Sequence, residues 1–234
     1  MTTDKLHSND AGVNPRDGEG AAPPARRPYR SQRREEQARQ TRMAILDAAQ
    51  ELFVERGYVA ATVADVASRA GVAPETIYSA FRNKRSLLKR LADVRAAGDE
   101  EPIPVAQREW IREIMEAPDG RRKLRLYAAV ARGMIQRGVG DVQLVIRAAA
   151  TADPQIAELW EELKRQRLVG ATNIATHLAE HGLLRDGLDA DRARDLVWTY
   201  ISPEIAGLLA ERGWSGADYE QWLADTLIAA LLPD

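Results

Sequence analysis

Seven side chains within one 23-residue stretch, Thr62, Glu75, Thr76, Tyr78, Ser79, Arg82 and Lys84, carry hydroxyls, a carboxylate, a phenol and two cations. Such groups exchange hydrogen bonds with polar edges and neutralise anions, so the chemistry they offer is reversible recognition. A second cluster has a different potential. His177, Glu180 and His181 stand in the H-x-x-E-H order of inverted zinc peptidases, with two imidazoles on one helix face and a carboxylate to act as base. The plainer explanation is a helix C-terminus, where His is favoured, followed at once by the terminator Gly182. No Gly-rich phosphate loop, G-x-S-x-G elbow or dinucleotide fingerprint occurs in the chain.

The first set is held by short helices. Val63, Val66, Ala67 and Ala70 recur at helical spacing, so residues 62–70 turn one apolar stripe inward, with Thr62 as cap. Gly71 ends that helix and Pro74 opens the next. Two short helices at a Gly-containing turn make a helix-turn-helix, whose second helix fits the major groove of double-stranded DNA. With Ile77 and Phe81 inward, Glu75, Ser79 and Arg82 face the opposite way, and Thr76 and Tyr78 lie on the flanks. That face assigns Glu75, Thr76 and Ser79 to base edges, and Thr62, Tyr78, Arg82 and Lys84 to phosphates. Asn83 is the expected cap of a further helix. Lys84, in its first turn, opposes the helix macrodipole and so points to a phosphate outside the protein. A helix over 38–56, with Ile45, Leu46, Ala49, Leu52 and Phe53 on one face, backs the pair, and Leu87, Leu88 and Leu91 line the helix that leads out to Arg95.

The run AATVADVASRAGVAPETIYSAFRNKRSLL, preceded by ILDAAQELFVERGY, strongly resembles the DNA-binding domain of the tetracycline-repressor (TetR) family over about residues 38–95. The resemblance implies an all-α, homodimeric, ligand-responsive transcription regulator, a repressor of an inverted-repeat operator and not an enzyme. The alternatives are a DNA binder without small-molecule input and, remotely, the zinc hydrolase. Two residues depart from the family pattern: Ala73, where Ser or Thr often caps the second helix, and Ala80, where His often stands.

Charge supports one nucleic-acid-facing end. The formal net charge is only -2, yet residues 26–95 carry 15 Lys and Arg against 8 Asp and Glu, whereas residues 96–234 carry 16 against 23. Only the helix-turn-helix segment is basic. The absence of Cys excludes disulfides and thiolate sites and fits a reducing cytoplasm. No apolar run approaches the length of a membrane span, and no membrane partner or cofactor is expected.

The resulting division is a tail over 1–37, a DNA-binding domain of three helices over 38–97, a linker over 98–104, and a ligand-binding and dimerisation domain over 105–234. The tail is rich in Gly, Pro and Asp and reads as disordered to residue 28. From 26 to 37 it becomes a basic arm, where Arg30, Arg33 and Arg34 either follow phosphates or form a solvated charge run. GDEEPIP at 98–104 marks the boundary. Beyond it come helices over about 105–116, 120–137, 140–150, 153–181, 189–211 and 216–232, with Pro203 expected to kink the fifth. The apolar faces of the last two, including Leu196, Tyr200, Trp222, Leu223, Leu227 and Leu231, are expected to close a four-helix dimer interface, or else to be buried within one subunit. For the unknown effector, Trp110, Tyr127, Met134, Trp160 and Trp198 are candidate pocket walls or plain core, and Arg147 is placed to pair either a ligand carboxylate or Glu204.

Overall fold

The computed structural model describes residues 27–234, with side chains from Gln32 onward. Among these residues the fold is all-α, eleven helices with no strand. The first, α1, runs Arg27–Ala60, and Gly57 (φ 78, ψ 157) interrupts its helical dihedrals. It therefore starts well before the expected residue 38. The basic run from 27 to 37 is helical, because its Arg, Glu and Gln residues are good helix formers. The expected disorder before residue 27 and the side chain of Arg30 lie outside the described residues. The chain divides into two compact units, Met1–Arg39 and Gln40–Asp234. In the first, Arg33 and Arg34 are exposed and Arg39 pairs with Glu36 at 2.7 Å.

In the second unit, α2 (Val63–Ala70) and α3 (Pro74–Phe81) are joined by Gly71, which takes the left-handed conformation (φ 67) and donates its N–H to the end of α2. Pro74 opens α3 without a side-chain cap, since Ala73 has no oxygen to offer. Asn83 caps α4 (Lys84–Ala97) by accepting from the Ser86 N–H at 2.8 Å. Between α3 and α4 the chain reverses in a γ-turn. Arg82 sits at φ 67, ψ -49, and the Asn83 N–H donates to the Phe81 carbonyl at 2.8 Å. A non-glycine residue there is strained by about 1–3 kcal/mol. Arg82→Gly is therefore expected to raise the unfolding free energy by about 1 kcal/mol, less than the strain itself because Gly also loosens the unfolded chain. Thermal unfolding measures this, and an unchanged or lower melting temperature contradicts the strain.

The remaining helices are α5 (Glu109–Glu116), α6 (Gly120–Gln136), α7 (Val139–Ala150), α8 (Pro154–Glu180), α9 (Ala190–Tyr200), α10 (Pro203–Glu211) and α11 (Gly216–Leu231). A short 3-10 turn, Val105–Gln107, precedes α5, so residues 105–108 are not part of it. Pro203 does not kink a continuous helix. It is the first residue of α10, where its missing N–H costs nothing, and Ser202 caps that helix. The acidic segment 98–104 is fastened down. Arg108, only 8% exposed, forks onto Asp99 and donates to the Ile103 carbonyl, while the carboxylate of Glu100 lies between Arg42 and Arg90.

Two apolar cores result. One joins α1–α4 to Val142, Ile146 and Ala149 of α7 and Ile156, Leu159 and Leu163 of α8. The other joins α5, α6, α9 and α11 to Ala171, Ile174, Ala175 and Leu178 of α8. Helix α8 is the spine of both.

Candidate nucleic-acid interface

The core side of α3 is Ile77 and Phe81, with 0% and 5% of their surfaces exposed, and Val66 and Ala67 of α2 back them. These few apolar anchors orient the opposite face. Glu75, Tyr78, Ser79 and Arg82 are exposed and Thr76 is half-buried on the flank, the distribution that the helical rotation predicts. Tyr78 keeps 52% of its surface, unusual for a large aromatic ring on a helix of eight residues. The assembly is an eight-residue helix with a hydroxyl, a carboxylate and a phenol facing out, pinned from behind.

Two of the expected phosphate contacts have internal partners. The Thr62 hydroxyl accepts from the Asp65 N–H at 3.1 Å and donates to Asp65 Oδ2 at 2.7 Å, and the Thr62 N–H donates to the same carboxylate. This capping box holds the Asp65 carboxyl below the ordinary Asp range, chiefly through the hydroxyl. A phosphate contact by that hydroxyl would have to displace Asp65. Lys84 donates to the Val59 carbonyl at 3.3 Å and lies 4.3 Å from the centroid of the Tyr58 ring. The cation in the first turn of α4 thus has partners within the protein as well: it donates to the end of α1 and rests on an aromatic face. The macrodipole of α4 alone does not reveal these partners, because they lie at the end of α1.

The C-terminal candidates separate by position. Leu223, Leu227 and Leu231 are fully buried, facing α6 inside one subunit, so these three are core and not interface. The apolar stripe of α11 is taken up by Leu124 and Ala128 of α6. Leu196, Tyr200 and Trp222 stay half-buried, with the Tyr200 and Trp222 rings edge-on at 6.2 Å. Leu196 also lines a surface groove of about 480 Å³ with Arg185, Asp195 and Thr199. The large exposed apolar side chains nearby are Leu208 (62%) and Trp214 (39%). Neither stood out in the sequence.

Trp110 packs on the second core and Trp160 on the first, each half-buried. Met134 is half-buried on α6. Arg147 pairs with Glu204 at 2.8 Å. Trp198 has Arg167 over its ring at 4.6 Å. Arg167 was missed in the sequence, although a signal existed: it stands four residues after Leu163 and four before Ala171, a cation on the buried stripe of α8.

His177 and His181 are stacked, with centroids 4.1 Å apart and planes within 8°. The lone pairs of parallel rings do not converge on one ion, and His181 Nδ1 is engaged with the His177 carbonyl. Among the described residues no group of three or more His, Asp or Glu is placed to hold a metal.

Residues 45–91 match the family described as bacterial regulatory proteins, tetR family. The match covers α2, α3 and the adjoining parts of α1 and α4. It is 28% identical over 173 residues to the fatty acid metabolism regulator protein of Bacillus subtilis, covering 72% of this chain and 84% of that one. In fold it is similar to FadR of Bacillus subtilis solved with stearoyl-CoA, with a TM-score of 0.64, 22% identity, and coverage of 80% and 97% of the two chains. It is also similar to a transcriptional regulator of Saccharomonospora viridis solved with choline, with a TM-score of 0.63, 22% identity, and coverage of 83% and 99%. The chain is a DNA-binding transcriptional regulator. Among its described residues no helix is long and apolar enough to cross a membrane.

Proposed function

We propose that this protein is a cytoplasmic repressor of the tetR family that binds an inverted-repeat operator as a homodimer and is released by a small molecule held among residues 105–234. The single observation that carries the ligand coupling is the first core. Val142, Ile146 and Ala149 of α7 are packed in the same apolar cluster as the residues that anchor α3. A close-packed core transmits small displacements instead of absorbing them. A ligand that favours another position of α7 therefore also favours another position of the reading helix, and it lowers operator affinity only by the difference in its own affinity for the two states.

In this reading Glu75, Thr76 and Ser79 face base edges. Tyr78, Arg82 and Lys84 set register on phosphates, assisted by Arg33 and Arg34. Dimerisation uses the outer sides of α9, α10 and α11, where Tyr200, Leu208 and Trp222 retain accessible apolar surface, and not the buried leucines of α11. Two-fold symmetry of the protein then demands inverted half-sites.

The test is selection of bound duplexes from a random DNA library at moderate salt. The expected product is an inverted repeat, lost with the double variant Tyr78→Ala/Lys84→Ala. Recovery of no motif, with binding that only fades as salt rises, would leave nothing but nonspecific attraction to a basic segment and would reject the reading.

A further inference from the structure

Lys84 is the cation on which three helix ends converge. It opens α4, three residues beyond the last residue of α3. Its ammonium lies 4.3 Å from the centroid of the Tyr58 ring and donates to the Val59 carbonyl at 3.3 Å, both at the end of α1. The carboxylate of Asp65, in the first turn of α2, attracts it as well and is itself fixed by the Thr62 capping box.

The backbone builds this seat deliberately. Gly57 leaves the helical dihedrals at φ 78, ψ 157, a region open essentially to glycine alone. Nothing lies within 4 Å of where a Cβ would stand, so the conformation and not crowding requires glycine there. After this break Tyr58 is buried, and the Phe53 ring meets it edge-on at 5.5 Å and 64°. Val59, next in the chain, is exposed. The charges that act on the phenol oxygen are those of Asp153 and Arg85, so Lys84 is held by the ring face and not by the hydroxyl.

The seat does not use up the cation. An ammonium has three N–H donors. The carbonyl takes one and the ring face attracts another, which leaves one over. Lys84 is only half-buried, so that donor is reachable from outside. Burial holds the ammonium below the ordinary lysine range, which marks a charge short of solvent that an approaching anion would relieve. A loose lysine gives up rotamer freedom when it grips a phosphate. Lys84 has given it up on folding, so the contact costs less at binding. One carbonyl and one ring face also suit a compact point charge better than the planar fork of arginine.

We infer that Tyr58 is a positioning residue for DNA binding, its ring face and the Val59 carbonyl together holding the Lys84 ammonium ready to donate to a phosphate of the duplex. The inference rests on the proposed function, in which Lys84 contacts phosphate, and adds the residue that acts through it.

The experiment places phenylalanine and its mono-, di- and trifluorinated analogues at position 58 of the full chain, with Lys84 and again with Lys84→Met. Fluorine withdraws electron density from the ring face at nearly constant size, so attraction for the cation weakens stepwise while packing is kept. Affinity is measured for the selected operator duplex and for a mixed-sequence duplex, because a phosphate contact is common to both; the second carries the test alone if no operator is selected. With Lys84 present, binding to both should weaken with each fluorine, by about 5-fold over the series. With Lys84→Met, which keeps the aliphatic stem, the series should be flat. Should the analogues not be incorporated, Tyr58→Leu and Tyr58→Phe give the same comparison: the loss in Leu should be largely restored in Phe, and only with Lys84 present. A flat series with Lys84 in place, or the same decline in both backgrounds, would overturn the inference, since the ring would then act through the fold and not through the cation. If that flat series accompanies a weakened Lys84→Met, the phosphate role of Lys84 stands without the seat. Lys84→Met that binds both duplexes as tightly as wild type would overturn the inference and also remove Lys84 from the contacts of the proposed function.

Discussion

Tyr78→Ala is expected to weaken binding to every duplex alike, by about 10-fold or more if the phenol donates to a phosphate, whereas Ser79→Ala should change which base is preferred at one position of each half-site. The difference follows from where α3 places them. Tyr78 is on the flank, with 52% of its surface exposed, and in the proposed role its hydroxyl contacts the backbone of the duplex, which is the same for all sequences. Ser79 lies on the side opposite Ile77, the face proposed to meet base edges. A wrong base pair in a specific site costs about 1–3 kcal/mol, and loss of the hydroxyl should shrink that discrimination at one position. Binding isotherms of both variants against the selected operator and single-base mismatches measure this. A uniform loss in Ser79→Ala, or a sequence-dependent one in Tyr78→Ala, would exchange or abolish the two roles. Neither substitution touches a buried contact, so both variants should unfold at the wild-type temperature.

The largest effect on stability is expected from Lys123→Met. Lys123 is completely buried, and its ammonium donates to the carbonyls of Ile114 and Met115 at 2.6 and 2.8 Å. It thereby closes the end of α5, where Pro118 stops the helix from continuing and the only backbone donor reaching these two carbonyls is the Ala117 N–H, on Ile114. Met fills similar volume but donates nothing. The Met115 carbonyl loses its partner at about 1–3 kcal/mol, and the Ile114 carbonyl keeps only the Ala117 N–H at 3.3 Å, losses partly offset because a buried charge is also removed. A net loss of about 1–3 kcal/mol follows, against roughly 0.5 kcal/mol or less for the exposed neighbour Arg122→Met. Chemical denaturation of both variants tests the contrast, and equal stabilities would refute the capping role. The pH dependence gives a second readout. Burial lowers the pKa of Lys123 below 10.5 in the folded protein, so between the two values the unfolded chain holds more protons. Unfolding free energy should therefore gain with rising pH in that alkaline window for wild type relative to Lys123→Met, whereas no difference in slope is expected near neutrality.

The local architecture of the DNA-reading head was legible because its determinants are local. The Val63–Val66–Ala67 stripe, the Gly71 stop, Pro74 at the start of α3 and the Asn83 cap each act within about four residues, and a helix of known rotation fixes which side chains are opposite Ile77. The all-α class followed from the same periodicity. Pro203 marks the edge of that legibility. Its inability to continue a helix was readable, but whether the chain would bend or restart depended on Ser202 being free to cap the following turn.

What depends on partners distant in sequence only the tertiary structure decided. Lys84 meets Val59 and Tyr58, about 25 residues earlier, and so a cation that looked directed at DNA also serves the protein. The leucines of α11 and an interface stripe have identical patterns. Only the presence of α6 against them shows that Leu223, Leu227 and Leu231 are core, while Leu208 and Trp214 are left exposed. Arg167 belongs to no motif. Its meaning arises because α8 brings its guanidinium over the ring of Trp198, a residue of a helix formed more than 30 positions later. Periodicity states which face of a helix is buried, and the fold alone states against what.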